Sequence, residues 1–422
     1  MLNRIKTLKN RLSANKDGKA LASNFGYLMI MQITGYIFPL LTIPYLARII
    51  GVEGFGKIAF AAAIIVWFQS ITDWGFNYTA TRDIARNRED LNRVSEIFSN
   101  VFWAKSLLAS ISFIILFIIT EFIPYLKENQ ILLFITFMLV PAKILFADWF
   151  FQAIEKMKFI TIFDLISKAI FTLCIFIFVK DKSDFILQPL FLSLGSILVG
   201  LVSFYLIVFK WKVKILLPRY HDIIVTIKNS KDVFINNIVP NLYNSFSSVL
   251  LGFWGGSIAN GLLDAGSKFA NIAQQFVNIL SRVFFPFLSR KSNKHSIYAK
   301  INIFTSVLST ILLIILAPFI IKMFFTPEFY GAIPVLQIIA FSLIFQTLIS
   351  TYGLNYMIIH GFEKSLRNIT IICSMIGFVF SFPLIYFYNF LGAAILITGT
   401  RVLLGLCIMY KAKAIQRSIL AE

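Results

Sequence analysis

Cysteine and histidine are nearly missing from this chain, with three of each among 422 residues. Cys174, Cys373 and Cys407 all lie inside apolar runs, their number is odd and no metal-ligand spacing joins them. They read as small core residues, which excludes a disulfide framework and a zinc site, and no cofactor or metal is expected. His221, His295 and His360 fall in basic connections, so no histidine is expected within a span for acid–base chemistry. Charge is scarce too, at 14% of residues, where soluble domains carry about 25%. Acids are the rarer sign, 20 Asp and Glu against 39 Lys and Arg. Phosphate-cradling glycine loops are absent. The opening MLNRIKTLKNRLSANKDGKA is basic and has no apolar h-region, so no cleavable signal peptide is expected.

What is present is apolar length. Hydrophobic residues make up 58% of the chain, and runs of about 20 of them, enough to cross a hydrocarbon core, recur throughout. The pattern predicts an all-α polytopic membrane protein with twelve candidate helices, the first at 24–46 and the last at 391–410. Of the 39 Lys and Arg, 27 fall in alternate connections and at the two ends, and only Arg48, Lys57, Lys127, Lys180, Lys182 and Lys322 fall in the others. By the positive-inside rule both termini are expected in the cytoplasm, and the formal charge of +19 is a topology signal with no nucleic-acid partner implied. Leu2, Ile5, Leu8 and Leu12 share one face of the basic opening segment. That segment is either a helix lying on anionic headgroups or a solvated tail.

The basic stretch KWKVKILLPRYHDIIVTIKNSK at 210–231 falls near the midpoint. It divides the chain into an expected N-terminal lobe, 1–209, and C-terminal lobe, 232–422, each of six helices. Their openings are alike: an entry with Asn, a proline within the span, and glycines five apart, Gly51 with Gly56 and Gly256 with Gly261. Gln69 and Gln274 follow at equal distances. An even number of helices per half makes such repeats parallel, related by a pseudo-twofold axis along the membrane normal, with a central cavity between them.

Six cations fall within expected spans: Lys105, Lys143, Lys168, Lys268, Arg282 and Arg401. So do the acids Asp73, Asp148, Asp164 and Asp264. A charge at bilayer mid-depth costs about 2.5–3.5 kcal/mol on insertion scales, so such residues face the protein interior or water. Lys105 and Arg282 stand near cytoplasmic ends, where snorkelling is the alternative. Asp164 with Lys168, and Asp264 with Lys268, are spaced to pair on one helix.

The run DAGSKFANIAQQFVNILSR, 264–282, draws these together. Asp264, Lys268, Asn271, Gln275, Asn278 and Arg282 recur at intervals of three and four, which places them within roughly 40° of one line on a helix. Either this stripe lines a hydrated cavity, the favoured reading, or it bonds neighbouring helices. Gln69, Asp73 and Asn77 run down the second helix, its repeat partner, and the seventh adds Asn236, Asn237, Asn241 and Asn244. Mid-depth cations outnumber acids, which suits an anion, and interleaved amides suit hydroxyl groups. Lys143, Lys268 and Arg401 are expected to form the electropositive part. Trp67 and Trp74 are placed either to stack on sugar rings or to pack in the core.

NFGYLMIMQ, PLLTIPYLARIIGVEGFG and DWGFNYTATRDIARNRED, within about 24–98, resemble the signature of Wzx-type flippases for O-antigen and capsular repeat units. These belong to the multidrug/oligosaccharidyl-lipid/polysaccharide exporter superfamily. VFFPFLSR at 283–290 is similar to that family's eighth-helix end. By position, Arg48 and Gly51 match the first-helix motif, and Asp73, Gly75, Thr81 and Arg82 the second. The resemblance implies two lobes around a cation-lined cavity, in the bacterial inner membrane. It implies an undecaprenyl-diphosphate-linked oligosaccharide moved from the cytoplasmic to the outer leaflet by alternating access, with membrane lipids, a polymerase and chain-length proteins as partners. A cation-coupled drug exporter of the same fold is the alternative; its pocket would centre on acids. A membrane-embedded polymerase or acyltransferase is a third reading, disfavoured by the short outer connections.

Overall fold

The computed structural model describes residues 2–217, 219–290 and 295–421, with side chains described from residue 23 onward apart from those of 25 and 28, several in 279–290 and the last few residues. The amphipathic face expected at Leu2, Ile5, Leu8 and Leu12 lies outside the described side chains. Among the described residues every regular element is helical. In chain order these are α1 (Leu2–Asp73), α2 (Phe76–Arg86), α3 (Leu91–Phe122), α4 (Pro124–Glu128), α5 (Gln130–Phe137), α6 (Leu139–Phe146), α7 (Asp148–Ala153) and α8 (Met157–Phe178). They continue with α9 (Leu187–Phe209), α10 (Tyr220–Ile238), α11 (Ser245–Arg290), α12 (His295–Phe324), α13 (Ala332–Leu348) and α14 (Glu363–Ala421). A π-helical stretch, Ile349–Ile358, follows α13.

Nine helical stretches among the described residues are long and apolar enough to cross a membrane, so the chain is a multi-pass membrane protein. Three of them, Met29–Arg86, Tyr220–Asn278 and Glu363–Ser418, run for 58, 59 and 56 residues, about twice what one crossing needs. Within α1, α11 and α14, which supply most of these stretches, one residue of positive φ bends the chain: Gly51 (φ 65°, ψ −177°), Gly256 (φ 75°, ψ −174°) and Asn389 (φ 53°, ψ −131°). Positive φ with extended ψ is open essentially to glycine alone. Gly51 and Gly256 therefore hold bends that no other residue takes without strain. The two glycines are 205 positions apart, as are Gly56 and Gly261, and Gln69 and Gln274. The faint repeat in the sequence is a repeat in backbone conformation.

The chain forms two compact units that do not follow chain order. Unit 1 is Met1–Thr42, Phe68–Val179 and Ile186–Phe234; unit 2 is Ile43–Trp67, Lys180–Phe185 and Ile235–Glu422. In unit 1, Phe98, Trp149, Phe150 and Phe151 form an aromatic core joined by Phe163 and Trp211. In lipid such a core is held by van der Waals contact, since the surrounding tails are as apolar as the side chains. The basic segment after α9 is docked on α3. Lys214 donates its backbone N–H to Ser95 Oγ at 3.0 Å and Leu216 donates to Ser99 Oγ at 2.8 Å. In unit 2, α11, α13 and α14 pack against one another and α12 lies against α13. The most apolar window of α12 is only 17% buried. Its exposed Phe304, Ile311, Ile315 and Phe319 present a lipid-facing surface.

Candidate functional site

Unit 2 contains a cavity of about 350 Å³ with two unlike walls. From α11 come Leu263, Asp264, Ser267 and Asn271; from α1 come Ala59, Ala62, Ala63 and Val66. Ala59 and Asp264, Ala62 and Ser267, and Val66 and Asn271 are each 205 positions apart. Equivalent positions of the two repeats thus face one space. One repeat supplies carboxylate, hydroxyl and amide, and the other supplies methyl groups that leave room. Asn244, Ser245 and Ser248 at the start of α11, Ile339 of α13, and Ile397 and Arg401 of α14 complete the lining.

The charges in and beside this cavity differ in kind: Asp264 and Arg401 line it, and Lys268 stands outside the lining. Asp264 and Lys268 form an i,i+4 ion pair on α11, each side chain about a third exposed. Lys268 Nζ also lies 5.2 Å from the centroid of the Phe55 ring, a cation–π distance. Its charge is therefore already matched by its own helix. Arg401 has no carboxylate within ion-pair reach among the described residues. Its Nη1 donates to Ser342 Oγ at 2.9 Å, its Nη2 reaches Asn244 Oδ1 at 3.4 Å, and its buried Nε has no partner. Its guanidinium, a planar fork of five donors held by the neutral oxygens of Ser342, Asn244 and Tyr243, can receive an anion.

Other members of the expected stripe stand apart. Gln275 and Asn278 are half-buried on α11 and outside the cavity lining, and Asn278 Oδ1 accepts from Gln274 Nε2 at 3.1 Å. The side chain of Arg282 lies outside the described residues.

Unit 1 has its own buried charge cluster. Lys105 Nζ, only 2% exposed, donates to Asp73 Oδ1 at 2.8 Å and to Asn77 Oδ1 at 3.2 Å. A snorkelling lysine would be exposed, so that alternative is ruled out for Lys105. Lys143, exposed on α6, acts through space on the same carboxylate, and Gln69 lies one turn before Asp73, half-buried. Asp164 and Lys168 form the expected pair at 2.6 Å on α8. Trp74 takes the packing role. Its ring stacks on Phe234 at 3.9 Å and its Nε1 donates to the Ile227 carbonyl at 3.0 Å, which commits one face and the polar edge of the indole to packing.

The matched motif residues have local physical reasons. Gly51 makes the break in α1, and Gly75 (φ 80°) ends that helix so that α2 can begin; a Cβ there would meet Val233 at 2.7 Å. Thr81 Oγ1 donates to the Asn77 and Trp149 carbonyls at 2.5 and 3.1 Å, tying α2 to α7. Arg82 pairs with Asp83 at 2.8 Å on an exposed face, and Arg48 is exposed.

Sequence reasoning missed Ser342, Ser245, Ser248 and Ser267, which are single small hydroxyls in apolar helices with no periodic signal. His295 is also misplaced by sequence. It is buried as the first residue of α12, its Nε2 3.0 Å from the Thr351 carbonyl oxygen, beside a network of Tyr298, Asn302 and Asn355.

Residues 21–292 match the family described as "Polysaccharide biosynthesis protein". A protein of Escherichia coli (strain K12) named "Putative O-antigen transporter" is 27% identical over 398 residues, 92% of this chain and 96% of the relative. A protein of the same name from Shigella dysenteriae is 28% identical over 401 residues, 93% and 99% of the two chains. Among solved structures, "Lipid II flippase MurJ, inward closed conformation" superposes with a TM-score of 0.74 at 16% identity, covering 93% of this chain and 87% of that one. An inward-facing multidrug resistance MATE family transporter of the MOP superfamily gives a TM-score of 0.66 at 14% identity, covering 94% and 99%. At such identities the likeness concerns the fold.

Proposed function

The chain belongs to this family of polysaccharide biosynthesis proteins, and from that membership we propose that it is a flippase for lipid-linked oligosaccharide repeat units. It moves an undecaprenyl-diphosphate-linked oligosaccharide from the cytoplasmic to the outer leaflet of the bacterial inner membrane, for O-antigen or capsule assembly. It acts as a transporter and not as an enzyme. The 27-to-6 division of basic residues supports cytoplasmic termini, and the three doubled helices support twelve crossings.

The observation that carries the reading is Arg401. A guanidinium without a carboxylate partner among the described residues, beside Asn244, Asn271 and three serines, combines an anion receptor with hydroxyl-binding groups. A diphosphate brings at least two negative charges, which a low-dielectric wall rejects unless cations meet them. Lys268, in the same unit, joins Arg401 in the electropositive set. The paired state of Lys268 gives it a second use: Asp264 matches its ammonium when the cavity is empty, and an arriving diphosphate competes with Asp264 for it. The lipid tail stays in the bilayer while the headgroup crosses by alternating access.

The test is surface polysaccharide in cells that lack their own flippase, with this chain's abundance in the membrane verified. Restored polysaccharide with a matching repeat unit is expected. Unflipped lipid-linked repeats at full abundance of the protein, across every repeat type supplied, would overturn the assignment.

A further inference from the structure

Immediately beyond the cavity, towards the expected outer face, the two repeats touch through glycine. All of the residues involved belong to unit 2. A Cβ on Gly56 would collide with the Ser257 carbonyl oxygen, and a Cβ on Gly261 would collide with the Val52 carbonyl oxygen. The Gly56 Cβ would also lie 2.8 Å from the Gly261 backbone nitrogen, so the two glycines meet each other. Val52 and Ser257 are again 205 positions apart, as are Gly56 and Gly261. The contact is reciprocal: each repeat's second glycine seats the carbonyl that follows the other repeat's first glycine. This is the self-complementary pattern of a twofold interface, written within one chain. Gly51 and Gly256 set it up, since their matched bends turn those carbonyls towards the partner repeat.

Two features mark the contact as separable. It is made by backbone against backbone, and Cα–H···O contacts of this kind are individually weak though sterically exacting. Among the described residues the glycine-to-carbonyl contact includes no ion pair; its polar accessory is the Val52 N–H reaching Glu328 Oε2 at 3.4 Å. Aromatic rings flank it, with Phe60 against Phe253 at 5.7 Å and Phe55 against Phe329 at 5.4 Å. Its position is equally telling. Gly56 precedes Ala59 by three residues and Gly261 precedes Asp264 by three, which is about 4.5 Å along a helix. The glycines therefore close the end of the cavity that faces the outer side.

We propose that this reciprocal glycine clasp is the outer gate of the cavity: it is shut in the present structure and must part for a headgroup to leave outward. The clasp rests on the orientation and transport reading given above. A methyl group at either second glycine is incompatible with the shut state and has space only when the repeats separate, so Gly56→Ala and Gly261→Ala shift the population towards open.

The test places a reporter cysteine at Ala62 in a chain whose three native cysteines are serine, and adds a membrane-impermeant maleimide to the outer face of spheroplasts. Labelling at Ala62→Cys is expected to be slow alone and about tenfold faster with Gly56→Ala or Gly261→Ala, for a correspondingly shifted equilibrium. Gly399→Ala, where a Cβ meets nothing within 4 Å, should leave the rate unchanged. A second arm cross-links Phe60→Cys to Phe253→Cys with a short bis-maleimide, which should protect the reporter and stop export. Unchanged labelling in both glycine variants at normal abundance would overturn the gate. If those variants fail to accumulate, full export by the cross-linked protein would overturn it instead. Labelling needs no cargo, so a gate that behaves as expected in a chain that restores no polysaccharide would sink the transport reading alone.

Discussion

At the scale of single residues, charge pairing separates cations that look equivalent in sequence. Lys105, Lys168 and Lys268 each have a carboxylate within reach, and Arg401 has none among the described residues. The Asp264–Lys268 and Asp164–Lys168 pairs were legible because both partners lie on one helix at i,i+4 spacing. The partners of Lys105 and the neutral setting of Arg401 were not, since Asp73, Ser342 and Asn244 come from other helices. This difference ranks the variants. Arg401→Ala removes a charge-assisted contact of about 1.5–3 kcal/mol, which corresponds to export lower by about tenfold or more. Arg401→Lys should recover part of it, because a point charge remains while the fork is lost. Lys268→Arg should retain more export than Lys268→Ala, and Lys268→Glu should be worst, since two carboxylates would then share one turn. Quantified surface polysaccharide at matched protein abundance checks the order. Equal export by all the Lys268 variants would reduce that residue to a structural partner of Asp264.

At the scale of elements, hydropathy found the helical material and the polar stripe. It also suggested the repeat, through glycines five apart at Gly51–Gly56 and Gly256–Gly261. It did not show how the chain bends at Gly51 in α1 and at Gly256 in α11, because the bend depends on one residue's φ and ψ and not on composition. Nor did it show that the positions opposite the stripe are alanines lining the same cavity; alanine carries no amphipathic signal. The break itself is testable. Gly51→Ala forces a side chain into a conformation that costs about 1–3 kcal/mol and brings a Cβ to 3.0 Å from Glu328 Oε2. The purified protein in detergent should melt several degrees lower. Gly26→Ala, with φ in the ordinary range and nothing within 4 Å, should melt as the parent does. An unaltered melting temperature for Gly51→Ala would show that the bend is not held by glycine.

At the scale of the whole molecule, the contrast between sparse charge and its strict placement carries most of the account. Membrane class follows from 58% hydrophobic and 14% charged residues, because lipid admits little else. The assignment of residues 43–67 and 180–185 to unit 2 was illegible in sequence, since backbone packing of Gly56 on Ser257 leaves no pattern beyond the glycines themselves. The central claim, translocation of a diphosphate-linked headgroup, is tested most directly in proteoliposomes. Purified protein is reconstituted with an undecaprenyl-diphosphate oligosaccharide confined to one leaflet, and its appearance in the other is followed with a sugar-modifying enzyme that cannot cross the bilayer. Protein-dependent transfer is expected, slowed about tenfold or more by Arg401→Ala for the loss of its charge-assisted contact. Transfer no faster than in protein-free vesicles, by protein whose melting shows it folded, would contradict it.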